Sequence, residues 1–110
     1  MESLLKKPVL EGLNQAIGNE LYAHTLCLNL ANQMQGIGYF GVQKYFLSES
    51  ADELTHYQKI VDFINDRGSI AKVPSIVAQP DMPTSIKEAF IISLEAEVDL
   101  EKFYVDLYEK

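Results

Sequence analysis

Cysteine occurs once in this 110-residue sequence, tryptophan not at all, and proline only four times. The lone Cys27 excludes an internal disulfide, so nothing argues for an oxidising compartment. No apolar run reaches the roughly 18 residues a membrane span needs, and the N-terminus has no signal-peptide pattern. No membrane partner is expected, and a cytoplasmic location is the default. Basic residues are scarce: 9 Lys and Arg stand against 16 Asp and Glu, for a net charge of −7. That balance argues against a nucleic-acid partner, which would select a surplus of Lys and Arg, and favours cations instead. A Gly-rich strand-to-helix loop and a plausible Ser-His-Asp set are both missing, which removes nucleotide-binding and nucleophilic enzymes.

What is present is helical periodicity. Apolar residues make up 47% of the chain, enough for one domain with one core. They fall in three long segments, expected as helices over about 8–35, 40–67 and 85–110. Pro8 suits an opening turn, Gly36 and Gly38 close the first segment, and Gly68 closes the second. Ser85 followed by Glu88 forms a capping box at the start of the third. Between them, residues 68–84 hold Pro74, Pro80 and Pro83 without periodicity, so an extended crossover is expected. Segments of this length, at roughly 1.5 Å per residue, lie side by side in a bundle about 40 Å long. The fold class is therefore all-α: an antiparallel helical bundle with three long helices and no internal repeat.

Residues spaced alternately three and four apart face the neighbouring helices. The first such stripe reads Leu13, Ile17, Glu20, His24, Cys27, Ala31 and Met34. The second reads Phe46, Glu49, Glu53, His56, Ile60 and Phe63, and the third Ile86, Phe90, Ser93, Glu97, Leu100, Tyr104 and Leu107. Each apolar line thus carries carboxylates near its middle. An unpartnered carboxylate removed from water costs several kcal/mol, a large share of a small domain's stability. No Lys or Arg lies on these stripes to offset it. A bound cation would, and carboxylates with one imidazole suit iron or manganese rather than a thiolate-held zinc. Glu53 and His56 carry most of the specificity, because residues three apart share a helix face and can reach one ion. Joined by Glu20 and Glu97 from neighbouring helices, they form the ligand arrangement of carboxylate-bridged di-iron bundles.

Other residues carry two readings each. His24 is either a core histidine bonded to a neighbour or an additional ligand. Glu49 is an accessory cation position or an exposed carboxylate, and Asp52 a solvated helix carboxylate or part of a further metal site. Cys27 is expected to be an inert buried thiol. The aromatic residues, Tyr104 among them, are read as packing.

From Leu13 onward the chain resembles the ferritin family. The resemblance rests on Leu13-Asn14, Asn19-Glu20-Leu21-Tyr22-Ala23, Lys44-Tyr45-Phe46, Glu49-Ser50-Ala51-Asp52-Glu53-Leu54-Thr55-His56, Asn65-Asp66-Arg67-Gly68 and Ser85 through Glu97. It implies that Glu20, Glu53 and His56 hold a first iron, and that Glu53 bridges to a second bound by Glu97. It further implies oxidation of Fe(II) by dioxygen or peroxide and transfer of ferric product to a mineral store. In some ferritins the position of Asp52 is acidic and belongs to a further iron site.

Two departures from the family pattern shape the remaining expectations. Cys27 stands where ferritins usually carry a tyrosine near the iron pair. The family's fourth and fifth helices have no counterpart before Lys110, so the chain reads as C-terminally truncated, with partly open apolar seams. Exposed seams of that kind usually mark an interface, and a homo-oligomer, at least a dimer, or a helix-donating partner chain is expected. Besides an iron oxidase and store, a non-catalytic metal-binding or assembly protein derived from a ferritin remains open. A peroxide-reducing relative of rubrerythrin ranks last, because no Cys-x-x-Cys pair supplies an electron donor.

Overall fold

The chain begins its first helix just after an extended Lys6, and Pro8 sits in the opening turn, where its missing N–H is no loss. In the computed structural model, which describes residues 3–109, three helices follow in order: α1, Lys7–Gly36; α2, Phe40–Asp66; and α3, Ile86–Tyr108.

The helix ends follow from local chemistry. Gly38 at φ +94° and Gly68 at φ +85° provide the left-handed residues after α1 and α2. At the first, Tyr39 N–H donates to the Met34 carbonyl at 2.8 Å and Gly38 N–H to Gln35 at 3.1 Å. At the second, Ser69 N–H reaches Ile64 at 3.4 Å and Gly68 N–H reaches Asn65 at 3.3 Å. Both are Schellman closures, which satisfy the last carbonyls of a helix. At the start of α3, Ser85 Oγ accepts from Glu88 N–H at 3.2 Å, and the Glu88 charge favours the same helix end.

The three-residue turn between α1 and α2 makes them an antiparallel pair, and the longest dimension of the molecule, 52 Å, is about one helix length. The connection after α2 then runs back along α1. Lys72 N–H donates to Asn14 Oδ1 at 2.9 Å, and Gln79 Nε2 donates to the Tyr22 carbonyl at 3.3 Å. It delivers α3 antiparallel to α1, with Leu107 beside Gly12, Tyr104 beside Glu20 and Ala89 in the cluster with Leu26 and Leu30.

Helix α1 is the shared neighbour, and burial reflects it. Ala16, Ile17, Ala23, Leu26, Cys27, Leu30, Ala31 and Met34 are all buried on α1. On α2 the buried residues are Phe46, Ser50, Glu53 and Ile64, and on α3 only Ala89. Between α2 and α3 the main bridge is aromatic: Phe90 lies 5.2 Å, ring to ring, from both Tyr45 and Phe46.

Two sequence expectations are corrected by this arrangement. Phe63, placed on the inner stripe of α2, is exposed and lies under the Arg67 guanidinium at 3.5 Å, while Ile64 takes the buried position. Most of the packing of α2 is against α1; Phe46 and Glu53 are buried at the positions read from spacing, while Ser50 and Ile64 are buried one residue past Glu49 and Phe63. Phe90, placed on the inner stripe of α3, does pack on Tyr45 and Phe46 but is not fully buried, because among the described residues no further helix covers the face of α3 turned away from α1 and α2. No helix among the described residues is long and apolar enough to cross a membrane.

Candidate metal centre

Glu20 lies halfway along α1, between the buried turns carrying Ile17 and Ala23, and is itself 3% exposed. Glu53 comes from the middle of α2, one turn beyond buried Ser50, and is 4% exposed. Two carboxylates from antiparallel helices are thus held below the surface at the same height. His56 follows Glu53 by three residues and therefore shares its face. Its ring looks out through the gap between α2 and α3, with 52% of the side chain exposed.

These three groups converge. His56 Nδ1 lies 3.5 Å from Glu20 Oε2 and 3.4 Å from Glu53 Oε2. Both of those oxygens are buried and make no hydrogen bond. Ligand atoms about 2.1 Å from a first-row metal ion are spaced roughly 3.0–3.4 Å from one another, so the triangle is already close to the size one ion would impose. Orphaned buried carboxylate oxygens are costly unless a cation reaches them. Among the described residues no lysine or arginine forms an ion pair with Glu20, Glu53 or Glu97.

A second group overlaps the first. Glu49, Glu53 and Glu97 each offer a carboxylate oxygen within 4.8 Å of the others, and in the first group a ring nitrogen of His56 and one carboxylate oxygen each from Glu20 and Glu53 lie within the same distance of one another. Glu53 is common to both. Along the gap between α2 and α3 a cleft of about 420 Å³ is lined by Glu20, Glu53, His56, Glu97 and Tyr104. A further cleft, about 460 Å³, continues past Glu97 to Glu49 and Tyr45.

The electrostatics are those of carboxyl groups crowded together away from water. Burial pushes the Glu53 carboxyl up to about 9, helped by the adjoining Glu20 carboxyl and by the charges of Glu97 and Glu49. With no cation present, Glu53 therefore keeps a proton at neutral pH. The neighbouring thiol of Cys27 is raised to about 12, first by burial and then by Glu53, Glu49 and Glu97. It stays a protonated, inert thiol.

The structure sorts the remaining candidates. Glu49 joins the second group, half-buried. Asp52 is exposed on the outer face of α2 and belongs to neither group. His24 also lies outside both: its Nδ1 sits 2.7 Å from the Ser50 carbonyl and from Ser50 Oγ, which ties it to the α2 backbone. The expectation of one closed interior needs amendment as well. Glu97 and His56 are exposed, and only Glu20 and Glu53 are buried, because the side of the site facing away from α1 is open.

One participant goes unrecognised in the sequence. Tyr104, read as packing, donates its phenolic hydrogen to Glu20 Oε1 at 2.5 Å. The signal available was its position seven residues after Glu97, two turns along the same face of α3.

A profile of the ferritin-like domain matches residues 10–110. The chain belongs to the ferritin family. Among similar proteins, the bacterial non-heme ferritin of Staphylococcus haemolyticus is 32% identical over 106 residues, covering 96% of this chain and 64% of the relative. That of Staphylococcus aureus is 31% identical over the same shares. An open-pore ferritin from the archaeon Archaeoglobus fulgidus superposes with a TM-score of 0.91 at 30% identity, again over 96% of this chain and 64% of that one. The Chlorobium tepidum ferritin, at a TM-score of 0.92 and 22% identity, shares the fold. The chain thus spans a little under two thirds of the length of these ferritins.

Proposed function

We propose that this chain takes up Fe(II) as substrate at two adjoining positions, oxidises it with dioxygen or peroxide, and passes the ferric product to storage. The observation that carries this reading is the pair of ligand groups sharing Glu53. Glu20, Glu53 and His56 would hold the first iron, and Glu49, Glu53 and Glu97 the second, with the Glu53 carboxylate between them. A set of hard oxygen donors with one imidazole suits iron, and the relatives named as bacterial non-heme ferritins support the same metal.

Adjacent irons make a two-electron step accessible. Each gives up one electron. Dioxygen accepts the two with two protons to form hydrogen peroxide, or hydrogen peroxide accepts them with two protons to form two waters. The acidic cluster favours the more highly charged ferric product over Fe(II), which lowers the cost of oxidation. On Fe(II) entry Glu53 releases its proton, since a carboxylate must be ionised to bridge. The half-exposed ring of His56 stands at the mouth of the cleft, where iron would enter.

A second reading is a non-catalytic metal-binding or assembly protein, completed by a partner chain. The observation favouring it is the apolar lip of the cleft, where Leu94 is 64% and Val98 54% exposed. A helix from a second copy or from another chain would cover it. Fe(II) added in air, with ferric absorbance followed over time, separates the two readings. Faster oxidation by the native chain than by Glu53→Ala is expected. Equal rates, with binding retained by the native chain, would leave only the second reading.

A further inference from the structure

The two oxygens of Glu20 have different fates. Oε2 is buried without a partner and faces His56, whereas Oε1 accepts the Tyr104 phenol. The carboxylate therefore cannot turn freely about its last bond, and one oxygen is withheld from the space where the first ion would lie. Tyr104 belongs to α3, while the rest of the first group comes from α1 and α2, so this hydrogen bond is the link between that group and the third helix.

We infer that Tyr104 is a positioning residue for the first metal position: by holding Glu20 Oε1 it presents Oε2 as a single-oxygen ligand and couples α3 to the loading of that position. The inference rests on the two-position reading above. A tyrosine in place of an aliphatic residue here supplies a donor that neither Cys27 nor Ser50 could, since the Cys27 thiol is a weak donor on the α1 side and Ser50 is engaged with His24. Partners that orient a ligand from behind in this way change metal affinity by about 10- to 100-fold when removed.

Cobalt(II) is the probe, because its visible d–d bands report coordination number and it does not turn over under these conditions. The titration uses the full chain carrying Glu97→Ala, so that the first position is read alone, with and without Tyr104→Phe. The expected result is about tenfold weaker binding in the Phe form, with weaker d–d absorption as the freed Glu20 binds through both oxygens. Unchanged affinity and an unchanged spectrum would overturn the inference while leaving the site intact. If the Glu97→Ala chain takes up no Co(II), the two-position reading itself fails, and the inference with it. Should the Phe form not fold, the chain with Tyr104 intact decides through zinc(II). A near-UV phenol difference band on the first equivalent, absent in Glu20→Ala, supports the inference, and its absence in both contradicts it.

Discussion

His24 and Ser50 bind each other across the α1–α2 interface in both directions. Ser50 Oγ donates to the His24 carbonyl at 3.0 Å, and His24 Nδ1 lies 2.7 Å from the Ser50 carbonyl. A carbonyl can only accept, so Nδ1 carries the proton in this contact. The brace sits one turn from Glu20 on α1 and one turn before Glu53 on α2, and it fixes the height at which the two carboxylates meet. Ser50→Ala is expected to lower stability by about 1–2 kcal/mol, measured by urea denaturation, with cobalt(II) still bound. A loss of metal binding without loss of stability would contradict a purely bracing role.

Replacing the shared carboxylate should stabilise the metal-free chain even as it abolishes the site. Glu53→Gln keeps the shape and removes a carboxyl that is held protonated in the folded chain but ionises freely in the unfolded one, so the thermal midpoint of the apo form at neutral pH is expected to rise. A gain of 1 kcal/mol corresponds to roughly 4–8 °C at this size. The same variant should no longer gain stability from added Co(II), whereas the native chain should. Calorimetry with and without the metal checks both halves.

The pH dependence follows from the same residue. Folded, Glu53 holds its proton up to about 9, against 4.5 for an ordinary glutamate. Between those values the native state carries more protons than the unfolded state, so stability falls as pH rises through the window. The urea midpoint of the metal-free chain is expected to decline from about pH 6 to about pH 9, and the decline should vanish in Glu53→Gln. Metal binding at neutral pH should release a proton, seen as a buffer-dependent heat of binding.

Much of this arrangement is legible in the sequence, and the illegible part has one physical origin. Helix spacing, the Ser85 cap and Gly38 and Gly68 act locally, so three helices and their turns can be read from neighbouring residues. Glu53 and His56 are legible for the same reason, being one turn apart on a single helix. Which residue of α2 is buried at the far end is a tertiary matter: Ile64 is buried, while Phe63 lies exposed under Arg67. The bond from Tyr104 to Glu20 spans 84 residues and depends on how far α3 slides along α1. The exposure of Glu97 depends on what covers the α2–α3 gap, and spacing within α3 carries no information about that.

Cys27 tests the packing independently of metal. It is 6% exposed and its thiol is raised to about 12, so iodoacetamide at about pH 8 should leave the folded chain nearly unmodified. In denaturant the same reagent should react fully, read by intact mass. Prompt labelling of the folded chain would mean that the α1–α2 core opens readily.

The most direct test of the central claim is anomalous diffraction from crystals soaked with Fe(II) under anaerobic conditions. Two peaks are expected, one on either side of the Glu53 carboxylate: the first within reach of Glu20 and His56, the second within reach of Glu49 and Glu97. Iron found only at surface carboxylates such as Asp52, with Glu53 making no contact to it, would contradict the account.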